Sequence, residues 1–219
     1  MLDTDTIMML VEGTGDTLYM TLMSTLFGYV LGLPMGIILT VTDKDGIRPN
    51  AAVYKVLDVI VNILRSVPFL ILLILVMPFT KAIVGKTYGS TATIVPLVIA
   101  AAPFIARMVE SSLKEVDPGV IEAAVSMGAG TGTVIWKVML AEARTSLLVG
   151  VTIAIGTILG YSAMAGTVGG GGLGDIAIQY GYYRYETEIM IVTVVVLVVL
   201  VQILQSIGMM VSRKLDKRK

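Results

Sequence analysis

Five stretches of this chain are apolar for long enough to cross a hydrocarbon layer, which takes about 20 residues of helix, and nothing else in the sequence limits the fold so severely. Thr17–Thr42, Thr87–Ala106, Thr145–Gly174 and Ile189–Ser212 carry no Asp, Glu, Lys or Arg, and Val59–Thr80 carries only Arg65. Backbone polar groups find no water inside a bilayer, so spanning segments are helices or the strands of a closed barrel. The valine run Val194–Val199 would read as a buried strand in water, but the length of its stretch assigns it to a helix. Only 15% of the residues are charged, against roughly 25% in soluble domains, which is too few to cover a water-facing surface. The expectation is an all-α polytopic membrane protein with about five transmembrane helices, forming a single transmembrane domain over residues 1–219 with its core at about 13–210.

An odd number of spans puts the two ends on opposite sides, and the placement of Lys and Arg chooses between them. With the N-terminus outside, the inside segments hold twelve basic residues: Lys44, Arg48, Lys55, Arg107, Lys114, Lys137, Arg144, Arg213, Lys214, Lys217, Arg218 and Lys219. The outside segments hold Lys81, Lys86 and Arg184. The reading is therefore N-terminus outside and C-terminus cytoplasmic. Residues Met1–Asp16 contain four acidic side chains and no basic one, unlike the basic start of a cleaved signal peptide, so this segment is expected to remain.

The absent residue types exclude whole classes of chemistry. There is no Cys and no His, which removes thiol nucleophiles, disulfides, Cys/His zinc sites and a histidine base. No metal, cofactor or catalytic residue is expected. A formal net charge of zero gives no basic footprint for nucleic acid. Gly85-Lys86-Thr87 resembles the end of a phosphate loop, but Thr80 stands where the first glycine is required. The run Gly169–Gly172 reads as a tight external or re-entrant turn after the fourth span.

Prolines 34, 68, 78, 96 and 103 fall inside the spans, where each removes a backbone hydrogen bond and favours a kink. Gly28, Gly32 and Gly36, and again Gly156 and Gly160, recur every four residues, a spacing that lets two helix backbones approach. Asp58, Asn62 and Arg65 share one face of the second span. Charge at that depth is costly unless paired or wet, so this intramembrane polar face is expected to look into the protein or an aqueous entrance. A structural pair with another helix is one reading and an ion site of an ion-coupled carrier is another. Near the end of the fourth span Tyr161, Ser162 and Met164 stand among glycines. If the bundle encloses a path for a solute, they are candidates for its translocation path, with the flexible Met164 as a gate, helix packing being the alternative.

The longest inside segment joins the third and fourth spans. Asp117 can cap a helix whose first residue is Pro118, and Gly128, Gly130 and Gly132 permit a turn after it. Glu122-Ala123-Ala124, then Gly128, then Val138-Met139-Leu140 resemble the cytoplasmic loop of binding-protein-dependent ABC importer permeases. In that family Glu-Ala-Ala, a glycine and Ile-x-Leu-Pro stand at these spacings; here Val138 replaces Ile and Ala141 replaces Pro. The resemblance implies a coupling loop at about 111–144 in which Glu122, Ala123, Ala124, Gly128 and Leu140 meet an ATPase, the small alanines lying flush in its groove. Further segments are similar to the methionine-uptake branch of the family: Asn62–Phe69, Ala101–Glu110, Gly160–Gly166, Gly171–Gly174 and Gln179–Tyr182. That similarity implies a homodimer in the bacterial inner membrane with two cytoplasmic ATPase subunits and an external methionine-binding protein, importing D- and L-methionine. The phosphate loop needed for nucleotide hydrolysis is missing from this chain.

Overall fold

A computed structural model describes residues 3–215, all of its regular structure helical. Lys217, Arg218 and Lys219, which enter the charge count, lie outside the described residues. Helix α1 runs Thr4–Thr42, with the Asp3 carboxylate accepting from the Thr6 N–H at its start. Its 39 residues extend about 58 Å at 1.5 Å per residue, so it starts well before the expected Thr17 and overshoots the bilayer core. Helix α5 (Ser90–Lys114), α9 (Arg144–Ala165) and α11 (Thr187–Leu215) supply three further uninterrupted apolar helices.

The second span is not a straight helix. It is α2 (Ala51–Ser66) followed by α3 (Phe69–Leu75), bent by 102°, and then α4 (Met77–Val84). Pro68 causes the break, because its ring removes the N–H that would continue α2 and biases Val67 to an extended backbone, found here at ψ 123°. Pro68 and Pro78 thus stand at helix starts, whereas Pro34, Pro96 and Pro103 lie inside α1 and α5.

Helix α5 is the axis of the bundle. Of its apolar window 61% is buried by the rest of the chain, against 11% for α11, so α5 has its partners here and α11 keeps an apolar face for an environment outside the chain. Gly28, Gly32 and Gly36 of α1 make the closest seam with α5. A methyl group on Gly32 would stand 2.7 Å from the Ala102 carbonyl oxygen, and one on Gly36 2.6 Å from that of Ala106. The second stripe is less uniform: Gly156 lies under the Gln205 amide of α11, but a methyl group on Gly160 would meet no other element within 4 Å among the described residues.

The fourth span closes at Ala165 and a 3-10 turn, Gly166–Val168, short of the expected Gly174. The chain then re-enters. Gly171 and Gly172, at φ +82° and +73°, turn it into a short helix over Gly172–Ile176, and a π-helical turn Ala177–Tyr182 leads to α11. The loop is held from two sides: the Thr17 hydroxyl of α1 accepts the Leu173 N–H at 2.9 Å, and the Thr93 hydroxyl of α5 donates to the Gly170 carbonyl at 3.0 Å.

Candidate functional site

At the opposite end of the bundle the chain leaves α5 and forms α6 (Pro118–Ser126), α7 (Thr131–Thr133), a π-helical turn (Val134–Met139) and α8 (Leu140–Glu142) before α9 begins. Asp117 starts α6 by accepting the Gly119 N–H at 2.7 Å, and Pro118 occupies a position whose N–H has no partner in any helix. The end of α6 is a Schellman cap: Gly128 donates to the Val125 carbonyl and Ala129 to that of Ala124. Gly128 has φ +83° and is the one glycine of its three with a left-handed backbone; Gly130 is at −69°.

The five residues of the family motif do not share one environment. Glu122, Ala123 and Gly128 are exposed. Ala124 is buried with Val134 and Met139 in the main core, and Leu140 packs half-buried against it. The small size of Ala124 thus serves the packing of α6 on its own bundle, and of the two alanines Ala123 is the one on the exposed side. Sequence reasoning passed over Met127 and Trp136, which are 82% and 67% exposed. Trp136 carried a signal, as the single tryptophan of the chain, standing outside every apolar stretch. Between α6 and the loop after α1 lies a cleft of about 800 Å³ whose walls include Thr40, Asp43, Lys114, Glu122 and Met139.

A ladder of alternating charge runs from that cleft into the bundle. The Lys114 ammonium donates to Asp43 at 2.7 Å and to Glu110 at 2.8 Å. The Arg107 guanidinium donates to Glu110 at 2.6 Å, to the Asn62 carbonyl oxygen at 2.9 Å and to Asp58. Asn62 in turn donates to Asp58 at 3.2 Å. Three helices are thereby tied together: the end of α1 through Asp43, α5 through three side chains, and α2 through Asp58 and Asn62. The hydrogen bond from Lys114 holds the Asp43 carboxyl below the usual carboxylate range. Glu110, only 5% exposed, is stabilised as an anion by two cations, an arrangement that makes burial of its charge tolerable. Asp58 is thus engaged by Arg107, and the polar face proposed from sequence divides, because Arg65 does not join the ladder.

Arg65 sits instead at the elbow between α2 and α3. A cavity of about 140 Å³ opens there, lined by Leu64, Arg65, Phe69, Ala100, Phe104 and Tyr161. The Phe69 and Tyr161 rings stack with centroids 4.6 Å apart and planes within 5°, which joins α3 to α9. The other two path candidates diverge: Ser162 is buried and its hydroxyl donates to the Leu159 carbonyl of its own helix at 2.8 Å, whereas Met164 is 51% exposed. Among the described residues no three His, Cys, Asp or Glu side chains are grouped to hold a metal.

Comparison with known proteins places this architecture. Residues 32–218 match the family model described as binding-protein-dependent transport system inner membrane component. The probable D-methionine transport system permease protein of Vibrio cholerae is 53% identical over 210 residues, covering 96% of this chain and 93% of the relative. The methionine import system permease protein of Bacillus subtilis is 46% identical over 207 residues, covering 94% and 93%. Among solved structures, an inward-facing form of the MetNI methionine ABC transporter has a chain that superposes with a TM-score of 0.97 at 46% identity, over 99% of this chain and 100% of that one.

Proposed function

The chain belongs to the family of inner-membrane components of binding-protein-dependent transport systems, and we infer from this that it is the membrane-spanning permease of an ATP-driven importer of methionine. The observation that carries the substrate is the near-complete superposition on a methionine ABC transporter chain, joined to identities of 43–53% with permeases named for methionine transport. Hydrolysis belongs to a separate ATPase subunit, and the permease works as a dimer with that ATPase and a binding protein. Both enantiomers of methionine are the proposed cargo.

The proposed orientation puts the N-terminus outside and the Asp117–Glu142 segment in the cytoplasm, as the distribution of Lys and Arg favours. In this reading the ATPase docks on the exposed side of that segment, through Glu122, Ala123, Met127, Trp136 and the turn at Gly128. Gly128 fixes the angle between α6 and the following helix, and the buried Ala124 and Leu140 fasten both to the bundle, so a push on the segment moves the spans as a rigid body. The path is proposed to run past Tyr161 and Met164, with Ser162 as a packing residue. Uptake of labelled methionine into vesicles containing this chain, its ATPase and its binding protein is the test. Uptake that needs ATP and is competed by unlabelled D- and L-methionine is expected; uptake competed equally by unrelated amino acids would remove methionine from the reading.

A further inference from the structure

The cavity at the α2–α3 elbow has features that the coupling and packing of the permease leave unused. Its wall contains a guanidinium: among the described residues no hydrogen bond or ion pair holds Arg65, while the neighbouring charges Asp58, Arg107, Glu110 and Lys114 are all engaged with one another. Arg65 is exposed on the described chain, so its charge is open to water or to a solute, the condition under which a cation within a span is tolerated without an anion. The same wall holds Leu64, whose carbonyl would accept from the N–H of residue 68 in a continuing helix; residue 68 is Pro68 and has none. The remaining lining is Val67, Ala100, the stacked Phe69–Tyr161 pair and Phe104.

A free cation, a carbonyl released at the C-terminal end of a half-helix and an aromatic wall form a complementary set for one class of solute. Broken helices present backbone groups to solutes in this manner in other membrane transporters. We propose that the elbow cavity is a transit site for an amino-acid zwitterion, in which Arg65 takes the α-carboxylate, the Leu64 carbonyl takes the ammonium and the Phe69, Tyr161 and Phe104 rings receive an apolar or thioether side chain. A guanidinium pairs with a carboxylate through two parallel hydrogen bonds, and a thioether gains from an aromatic edge. The volume of about 140 Å³ is several times the ~30 Å³ that one water occupies in the liquid, enough for the polar head of a small amino acid. The site rests on the importer reading and adds to it a point at which the permease itself senses its cargo.

The test uses the permease–ATPase complex in lipid nanodiscs without the external binding protein. Saturable binding of labelled methionine to the wild-type complex is expected, with methioninamide, which lacks the carboxylate, competing about tenfold less well than methionine. Arg65→Gln is expected to weaken methionine binding about tenfold and Arg65→Lys less, in preparations where the ATPase still co-purifies. Absence of saturable binding, equal competition by the amide, or unchanged binding to Arg65→Gln would each overturn the site. The amide competition needs no variant and holds even if Arg65→Gln fails to assemble. Uptake by the complete wild-type system separates the two claims: methionine import with normal Arg65→Gln binding removes only the site, whereas no import by the wild type removes the importer reading and the site with it.

Discussion

Along the seam between α1 and α5, each unusual residue has its counterpart inside the chain. Gly32 and Gly36 face the Ala102 and Ala106 carbonyls, and Glu110 is held between Arg107 and Lys114. The Asp117–Glu142 segment is as carefully formed locally, with a capped start and a Schellman end, yet Met127 and Trp136 project from it with 82% and 67% of their surface exposed. Both regions break the habits of an ordinary helix, one with glycine and buried charge, the other with exposed apolar bulk. The difference teaches where to look for the reason: a seam satisfied within the chain is a matter of stability, while apolar bulk outside the spans has its partner elsewhere.

The comparison breaks most easily at Arg107. Arg107→Leu would leave the buried Glu110 with Lys114 alone and Asp58 without its cation, and the usual cost of stranding a buried charge is about 3–5 kcal/mol; the measurement is thermal unfolding in detergent, and an unchanged midpoint would mean that the ladder is ornamental. A smaller loss, about 1–3 kcal/mol as for overpacking in general, is expected for Gly36→Ala, whose new methyl meets the Ala106 backbone. Gly160→Ala, with open space around it, should stay within about 0.5 kcal/mol in the same assay.

A pH-dependent effect is expected at the outer rung of the ladder. Asp43 has its carboxyl pKa lowered from an ordinary 3.8 by the Lys114 hydrogen bond, so its contribution is fully present above that value and is lost as the pH falls through the still lower folded value. Asp43→Asn should therefore cost up to about 1 kcal/mol at neutral pH, with the gap to wild type closing under acid conditions below the folded pKa. A gap that widens in acid would contradict the assignment.

Much of this was legible in the sequence, for physical reasons that also mark where legibility ends. Absence of charge over 20 residues and more identifies a span wherever the helix is continuous, as for α5 and α11. The elbow at Pro68 was hidden because a proline within an apolar run states that a hydrogen bond is lost and leaves the angle to tertiary packing; the outcome here is 102°. Asp58 and Asn62 were visible as one face, but their partner Arg107 lies 49 residues away from Asp58 along the chain, beyond any local periodicity. The motif Glu122-Ala123-Ala124 located the segment, and could not tell which alanine faces the core, since one position of rotation along a helix separates the buried Ala124 from the exposed Ala123. The re-entrant glycine turn was announced by composition, whereas its anchoring by Thr17 and Thr93 depends on helices far off in sequence.

The central claim is that the exposed bulk of the Asp117–Glu142 segment is where the ATPase docks. Co-purification of the ATPase with a tagged permease carrying both Met127→Glu and Trp136→Glu tests it directly, because both side chains point away from the chain's own core and their replacement leaves the α1–α5 seam intact. The expected result is a membrane-inserted permease with wild-type thermal stability that retains little or no ATPase. Full retention of the ATPase by that variant would contradict the claim.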